Sequence, residues 1–134
     1  MIPESMLEDL KRRAMAASQN AYCPYSNFRV GAAVLTDHGE MFSGCNVENA
    51  AFGLTICAER NAIFQAVANG AKGVRAVVIY TPTAVPNTPC GSCRQVIREF
   101  GVDAEILCFC DGEGSARYEL SELLPQSFGP ENLR

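Results

Sequence analysis

The chain has 134 residues, 48% of them hydrophobic, and a formal net charge of −4. That length and apolar share fit one domain with a real core, so residues 1–134 are expected to form a single domain. The acidic balance, with a pI of about 5.0, argues against the basic stripe of a nucleic-acid-binding surface.

The start, "MIPESMLEDLKRR", carries acids early and lacks an apolar core, so it does not read as a signal peptide. No apolar run is long enough to span a membrane, and the expected location is the cytoplasm. Met6, Leu7, Leu10, Ala14 and Ala17 fall at helical spacing and predict an amphipathic helix over residues 3–19. Pro24 in "YCPYS" breaks the pattern. Phe28, Val30, Ala32 and Val34 then alternate as in a strand, with Gly31, Ala33 and Leu35 on the other face. "TDHGE" is a turn, and residues 41–45 read as the return strand of a hairpin. His38 lies in that polar turn and is expected to be exposed and without chemistry.

Ala62, Ile63, Ala66 and Val67 form a helical stripe, with Gly70 where the helix should stop. "RAVVIY" at 75–80 is a nearly continuous apolar run, as in a strand covered on both faces. Val96, Ile97 and Phe100 mark another helix, closed by Gly101. Residues 104–110 and 116–118 read as strands around the turn "DGEG", and a last helical turn at 121–124 stops at Pro125. The order α-β-β-α-β-α-β-β-α implies parallel pairing in the middle, an antiparallel hairpin first, and a mixed sheet with helices on both faces.

Seven cysteines are many for such a chain, and an odd number leaves one unpaired in any full set of disulfides. A metal site plus ordinary buried cysteines is the better reading. Cys57, Cys90 and Cys93 all fall at predicted helix starts, where a dipole of about +0.5 charge and free N–H groups stabilise thiolates. Cys90 and Cys93 are three apart and share one face of a first turn. Cys57 and Glu59 are two apart, so the metal should lie off the helix ends rather than beside them. Cys-x-x-Cys alone is also a redox pair or half of a structural zinc site. A fourth ligand from Cys23, Cys45, Cys108 or Cys110 would close that structural site; those four read more simply as small buried hydrophobes. Three ligands instead leave a tetrahedral zinc with an open position, and Glu59 stands where an acid/base is needed.

The segments "AYCPYSNFRVGAA", "GCNVENA", "CAERNAI" and "PCGSCRQV" together resemble the cytidine deaminases, specifically the small homotetrameric branch, over residues 16–128. Their Cys-x-Glu and Pro-Cys-x-x-Cys follow the zinc-deaminase signature, with Cys57 where many members have histidine. The resemblance implies an α/β fold, a three-layer α/β/α sandwich with a five-stranded mixed sheet. It implies one zinc per chain held by Cys57, Cys90 and Cys93, and hydrolysis of cytidine and 2′-deoxycytidine to uridine and 2′-deoxyuridine in pyrimidine salvage. Glu59 matches the proton shuttle. Asn46 and Glu48 match sugar-binding positions, Phe28 an aromatic on the pyrimidine, and the Ala58 backbone a contact to the ring carbonyl. Phe128 resembles a phenylalanine that a neighbouring subunit lends to the pocket, so the implied assembly is a homotetramer with active sites at its interfaces. The implied partner is a nucleoside, with no nucleic acid and no membrane. Phe52 departs from a frequent tyrosine, which removes a hydroxyl near that subunit contact.

Three thiolates set −3 against the +2 of zinc. Two helix ends at about +0.5 each offset roughly one charge. Arg60, three residues after Cys57, is the second candidate, because it can turn back to that sulfur; a solvated helix arginine or an interface ion pair is the plainer alternative. Taken alone, Asn46, Glu48 and Phe28 would read as a turn residue, a solvated acid and core. Their motif context favours the pocket. Two other functions stay open at this level: deamination of a related aminated heterocycle, and an inactive zinc-binding structural or RNA-associated module.

Overall fold

The computed structural model describes residues 2–134. Its elements follow the expected order: α1 (Glu4–Ser18), β1 (Gly31–Thr36), β2 (Met41–Cys45), α2 (Ala58–Ala68), β3 (Val74–Thr81), α3 (Gly91–Phe100), β4 (Glu105–Cys110), β5 (Ser115–Glu119) and α4 (Leu120–Leu123). The five strands form one mixed sheet in the order β2-β1-β3-β4-β5. Only β3 and β4 pair in parallel; the other pairs are antiparallel.

The central strands are buried along almost their whole length, so successive residues feed two different cores. Ala33, Leu35, Ala76, Val78, Leu107 and Phe109 face α1, which contributes Leu7, Leu10 and Ala14 from one stripe. Ala32, Val34, Val77, Ile79, Ile106 and Cys108 face the opposite layer, where Ala58, Ala62, Ile63 and Ala66 of α2 meet Ile97 of α3. Each fully buried leucine or isoleucine in these layers contributes roughly 1.5–3 kcal/mol. This is the expected three-layer α/β/α sandwich.

The first strand is shorter than its alternation predicts. It begins at Gly31, not near Phe28. Asn27 takes a left-handed conformation (φ 57°), and the backbone at 28–30 is claimed by a side chain instead of a neighbouring strand. Asn46 accepts from the Val30 N–H at 2.9 Å and donates to the Phe28 carbonyl at 2.7 Å. Phe28 is therefore 40% exposed rather than part of the core. Cys45 also departs from expectation: it sits half-buried on the edge strand, whereas Cys23, Cys108 and Cys110 are buried. His38 is exposed in its turn.

Two glycines let helices approach the sheet closely. A Cβ on Gly31 would lie 1.7 Å from the Ala14 carbonyl oxygen, and one on Gly44 would lie 2.5 Å from the Ala62 amide nitrogen. Neither obstacle is a flexible side chain. Gly44 thus sets how near α2 rides on β2, and Asn61 fixes the same contact by donating to the Cys45 carbonyl at 2.8 Å. We predict that Gly44→Ala costs about 1–3 kcal/mol in denaturant unfolding. Gly53→Ala, whose Cβ would meet nothing within 4 Å, serves as the near-neutral control.

Candidate active site and metal centre

The carboxyl end of β3, the amino end of α2 and the loop that leads into α3 converge on one cavity of about 440 Å³. This is where an open α/β sheet ordinarily receives its ligand. Cys57 is the N-cap of α2 and Cys90 the N-cap of α3, both extended (ψ 157° and 169°), with neither helix capped by a side chain. The chain thereby leaves early helix N–H groups free at the point where the sulfurs collect. Cys93 lies in the first turn of α3 and is fully buried.

The three sulfurs lie within 4.8 Å of one another, the only such cluster of possible ligands found among the described residues. Cys57 Sγ and Cys90 Sγ are 3.8 Å apart. A tetrahedral zinc with Zn–S bonds of about 2.3 Å needs sulfurs about 3.8 Å apart, so the donor set fits in both type and spacing. None of the other four cysteines belongs to the cluster, which leaves a fourth position for a ligand from solution.

The sulfurs are electrostatically unequal. Cys57 is lowered to about 5, chiefly by a hydrogen bond from Cys93, with further help from Arg60 and Cys90. Cys93 is pushed up by that same bond, by burial and by the negative charge of Glu59 and its fellow sulfurs. A bound dication removes this conflict by replacing the proton that two neighbouring thiols share. Arg60 turns back as its spacing predicts: its Nη2 lies 3.6 Å from Cys57 Sγ. Its Nε is buried without a hydrogen-bond partner, while the residue as a whole is half-buried.

Glu59 is 5% exposed and lines the cavity. Burial, and next the charge on Cys57, raises it to about 7, although its own backbone N–H opposes the shift. A carboxyl that titrates near neutrality holds and releases protons with little free-energy cost.

Phe28, Asn46, Glu48 and Ala58 line the same cavity, so the structure brings together four of the five expected substrate residues. Phe128 is not among them; it is 58% exposed on the C-terminal segment. Within the chain Asn46 and Glu48 act first as staples. Glu48 accepts from the Tyr25 and Ser26 amides at 3.0 and 3.2 Å and from the Ser26 hydroxyl. These bonds hold the carboxylate below its ordinary range.

Two contributors were not legible in the sequence. Ser26 receives no emphasis from its motif, yet it ties Glu48 to the segment carrying Phe28, whose amide donates to Ser26 Oγ at 3.0 Å. Arg94 follows Cys93 directly and braces the metal loop. It donates to the Pro89 carbonyl at 2.7 Å, the Thr88 hydroxyl at 2.9 Å and the Leu123 carbonyl at 2.8 Å. Its place in "CRQV" was a signal, but its partners are visible only once α4 folds back beside α3.

Comparison with known proteins supports the same chemistry. Residues 4–109 match the family model described as the cytidine and deoxycytidylate deaminase zinc-binding region. The chain is 44% identical to a probable cytidine deaminase of Dictyostelium discoideum, over 95% of this chain and 86% of that protein. It is 40% identical to a cytidine deaminase of Sporosarcina psychrophila, over 95% and 94%. A crystal structure of cytidine deaminase from Burkholderia pseudomallei superimposes with a TM-score of 0.86 at 43% identity, covering 90% of this chain and 98% of that one. The three-sulfur cluster fits one zinc ion per chain, and the chain belongs to the cytidine and deoxycytidylate deaminase family.

Proposed function

We propose that residues 1–134 form one catalytic domain in which Cys57, Cys90 and Cys93 hold the zinc and Glu59 moves the protons of hydrolytic cytidine deamination. The carrying observation is a buried carboxyl, raised to about 7, that shares a cavity with Cys57, whose sulfur belongs to a three-cysteine cluster at two uncapped helix ends.

Zinc, when bound, acidifies a coordinated water and so makes a nucleophile available at neutral pH. Glu59 would accept a proton from the attacking water and deliver it to ring N3, which makes C4 more electrophilic. After addition at C4, Glu59 would take the proton of the new C4 hydroxyl and pass it to the departing amine, so that the C4 oxygen becomes the carbonyl of uridine and ammonia leaves. One carboxyl serves each transfer because the transfers alternate. Arg60 draws charge from Cys57 and so favours water ionisation beside three anionic sulfurs.

Phe28 packs on the pyrimidine and the Ala58 N–H, at the first turn of α2, meets the ring carbonyl. Asn46 and Glu48 bind the sugar. The carboxylate keeps lone-pair capacity beyond its three internal bonds, and the Asn46 amide keeps a second N–H and a second lone pair. The sugar contacts favour cytidine and 2′-deoxycytidine over the free base, consistent with a role in pyrimidine salvage. Phe128 completes the pocket of a neighbouring subunit, and the working form is a homotetramer. No helix of the described residues is long and apolar enough to cross a membrane, and we place the enzyme in the cytoplasm.

Glu59→Gln is predicted to retain one zinc per chain and cytidine binding while turnover falls by about 10²–10⁴. A near-normal rate in zinc-loaded protein would reject the assignment. Arg60→Gln should move the acidic limb of the kcat/KM profile to higher pH, because removing a cation makes the water less acidic. An unchanged limb with unchanged turnover would reject that role. Phe128→Ala and Glu59→Gln chains, each impaired alone, should recover sites of normal KM when co-assembled, since the first keeps the carboxyl and the second lends the ring. Failure to recover such sites in hybrids verified by native mass would reject the shared pocket.

A further inference from the structure

The C-terminal segment is held in place at considerable conformational cost, yet its largest apolar side chain gains no burial from its own chain. Gln126 adopts φ 52°, a left-handed conformation for a residue other than glycine. Arg98 on α3 donates to Ser127 Oγ at 2.7 Å and pairs with Glu131. Gln95, one turn earlier on the same face, donates to the Phe128 carbonyl at 3.0 Å. The chain crosses the Arg98 guanidinium at the buried Gly129, where a Cβ would come within 2.6 Å of the guanidinium carbon. Past that crossing, the Gly129 amide donates to Asn132 Oδ1 at 2.8 Å, which closes a last turn. The Arg98 side chain is only 12% exposed.

Residues 127, 129 and 131 thus engage one guanidinium, and residue 128 is held from the adjacent turn. Phe128 itself remains 58% exposed and lies outside its own chain's cavity. Ordering several residues costs about 1–2 kcal/mol each in backbone freedom. An exposed phenylalanine returns none of this within the chain. The hydrogen bonds and ion pair from α3 offset that cost, and the ring is left available to a partner outside the chain.

We propose that Arg98, together with Gly129, is the positioning element for substrate binding in a second copy of this chain: it fixes the angle at which Phe128 is presented to the neighbour's pocket. The proposal rests on the reading that Phe128 completes that pocket. Arg98 touches no substrate. It acts by pre-ordering the segment, so that the ring need not be immobilised when the nucleoside binds. The Glu131 pairing and the Ser127 bond hold the guanidinium from two sides, and the absence of a Cβ at Gly129 lets the backbone lie on it.

The test compares zinc-loaded Arg98→Ala, Gly129→Ala and Phe128→Ala with the unaltered enzyme, using cytidine as substrate. Phe128→Ala should raise KM about tenfold, a modest cost for losing an aromatic stacking partner, and should change kcat much less. Arg98→Ala and Gly129→Ala should each raise KM several-fold, with amide exchange of residues 127–132 accelerated and zinc content unchanged. Adding Arg98→Ala to Phe128→Ala should raise KM no further, because the clamp acts through the ring. If Arg98→Ala frees the segment while KM stays normal, and Phe128→Ala still raises KM, the clamp is overturned and the shared pocket survives. If Phe128→Ala leaves KM unchanged, the shared-pocket reading and the clamp both fall. Should Arg98→Ala fail to fold, Gly129→Ala disturbs the same contact from the opposite side and decides the question by the same readouts.

Discussion

Three sulfur anions must be gathered within a few ångströms of one another, and this is the constraint on which the rest of the structure turns. Bringing like charges together in a partly buried place is unfavourable unless positive potential is already aimed there. Here it comes from the amino ends of α2 and α3, each begun by a cysteine whose side chain is not spent on capping. The sheet makes the meeting possible. The parallel pairing of β3 with β4 returns α3 to the same layer as α2, and both helices then point their first turns at the carboxyl end of β3. Close approach at Gly44 seats α2 against the edge strand. The metal site is thus a consequence of layer packing rather than of a flexible loop closing on an ion.

Charge at the site is tuned by burial as much as by pairing. Glu59 lies two residues from Cys57 and is buried in the cavity wall, so desolvation and a nearby thiolate raise its pKa to about 7. Arg60, on the same turn, opposes the charge of Cys57 from 3.6 Å. Consecutive residues therefore perform different electrostatic tasks. A helix start permits this because its side chains diverge and reach past the helix end.

Around this rigid centre, side chains rather than backbone ladders define the pocket walls. Asn46 replaces a strand partner for residues 28 and 30, Glu48 gathers the amides of 25 and 26, and Arg94 ties the metal loop to α4. Such walls are specific in shape and depend on few contacts. Along α3, the C-terminal segment uses the same device, with one guanidinium holding several residues in place of regular structure. The Phe28 and Phe128 rings both stay substantially exposed within the single chain.

The sequence by itself determined the element order, the two-faced burial of the central strands, and the convergence of Cys57, Cys90 and Cys93 at helix starts. Period, turn residues and cysteine spacing are local properties, and they survive folding. It also carried the direction of Arg60, since three residues along a helix fix a shared face. Only the tertiary structure decided where the first strand begins, because the competitor for its backbone is Asn46, sixteen residues beyond Val30. The half-burial of Cys45 likewise depends on β2 being an edge, and sheet order is a non-local outcome. The raised carboxyl of Glu59, the brace at Arg94 and the clamp at Arg98 arise from desolvation and contacts between distant segments. Those have no signature in a linear pattern, because burial is a property of the packed chain.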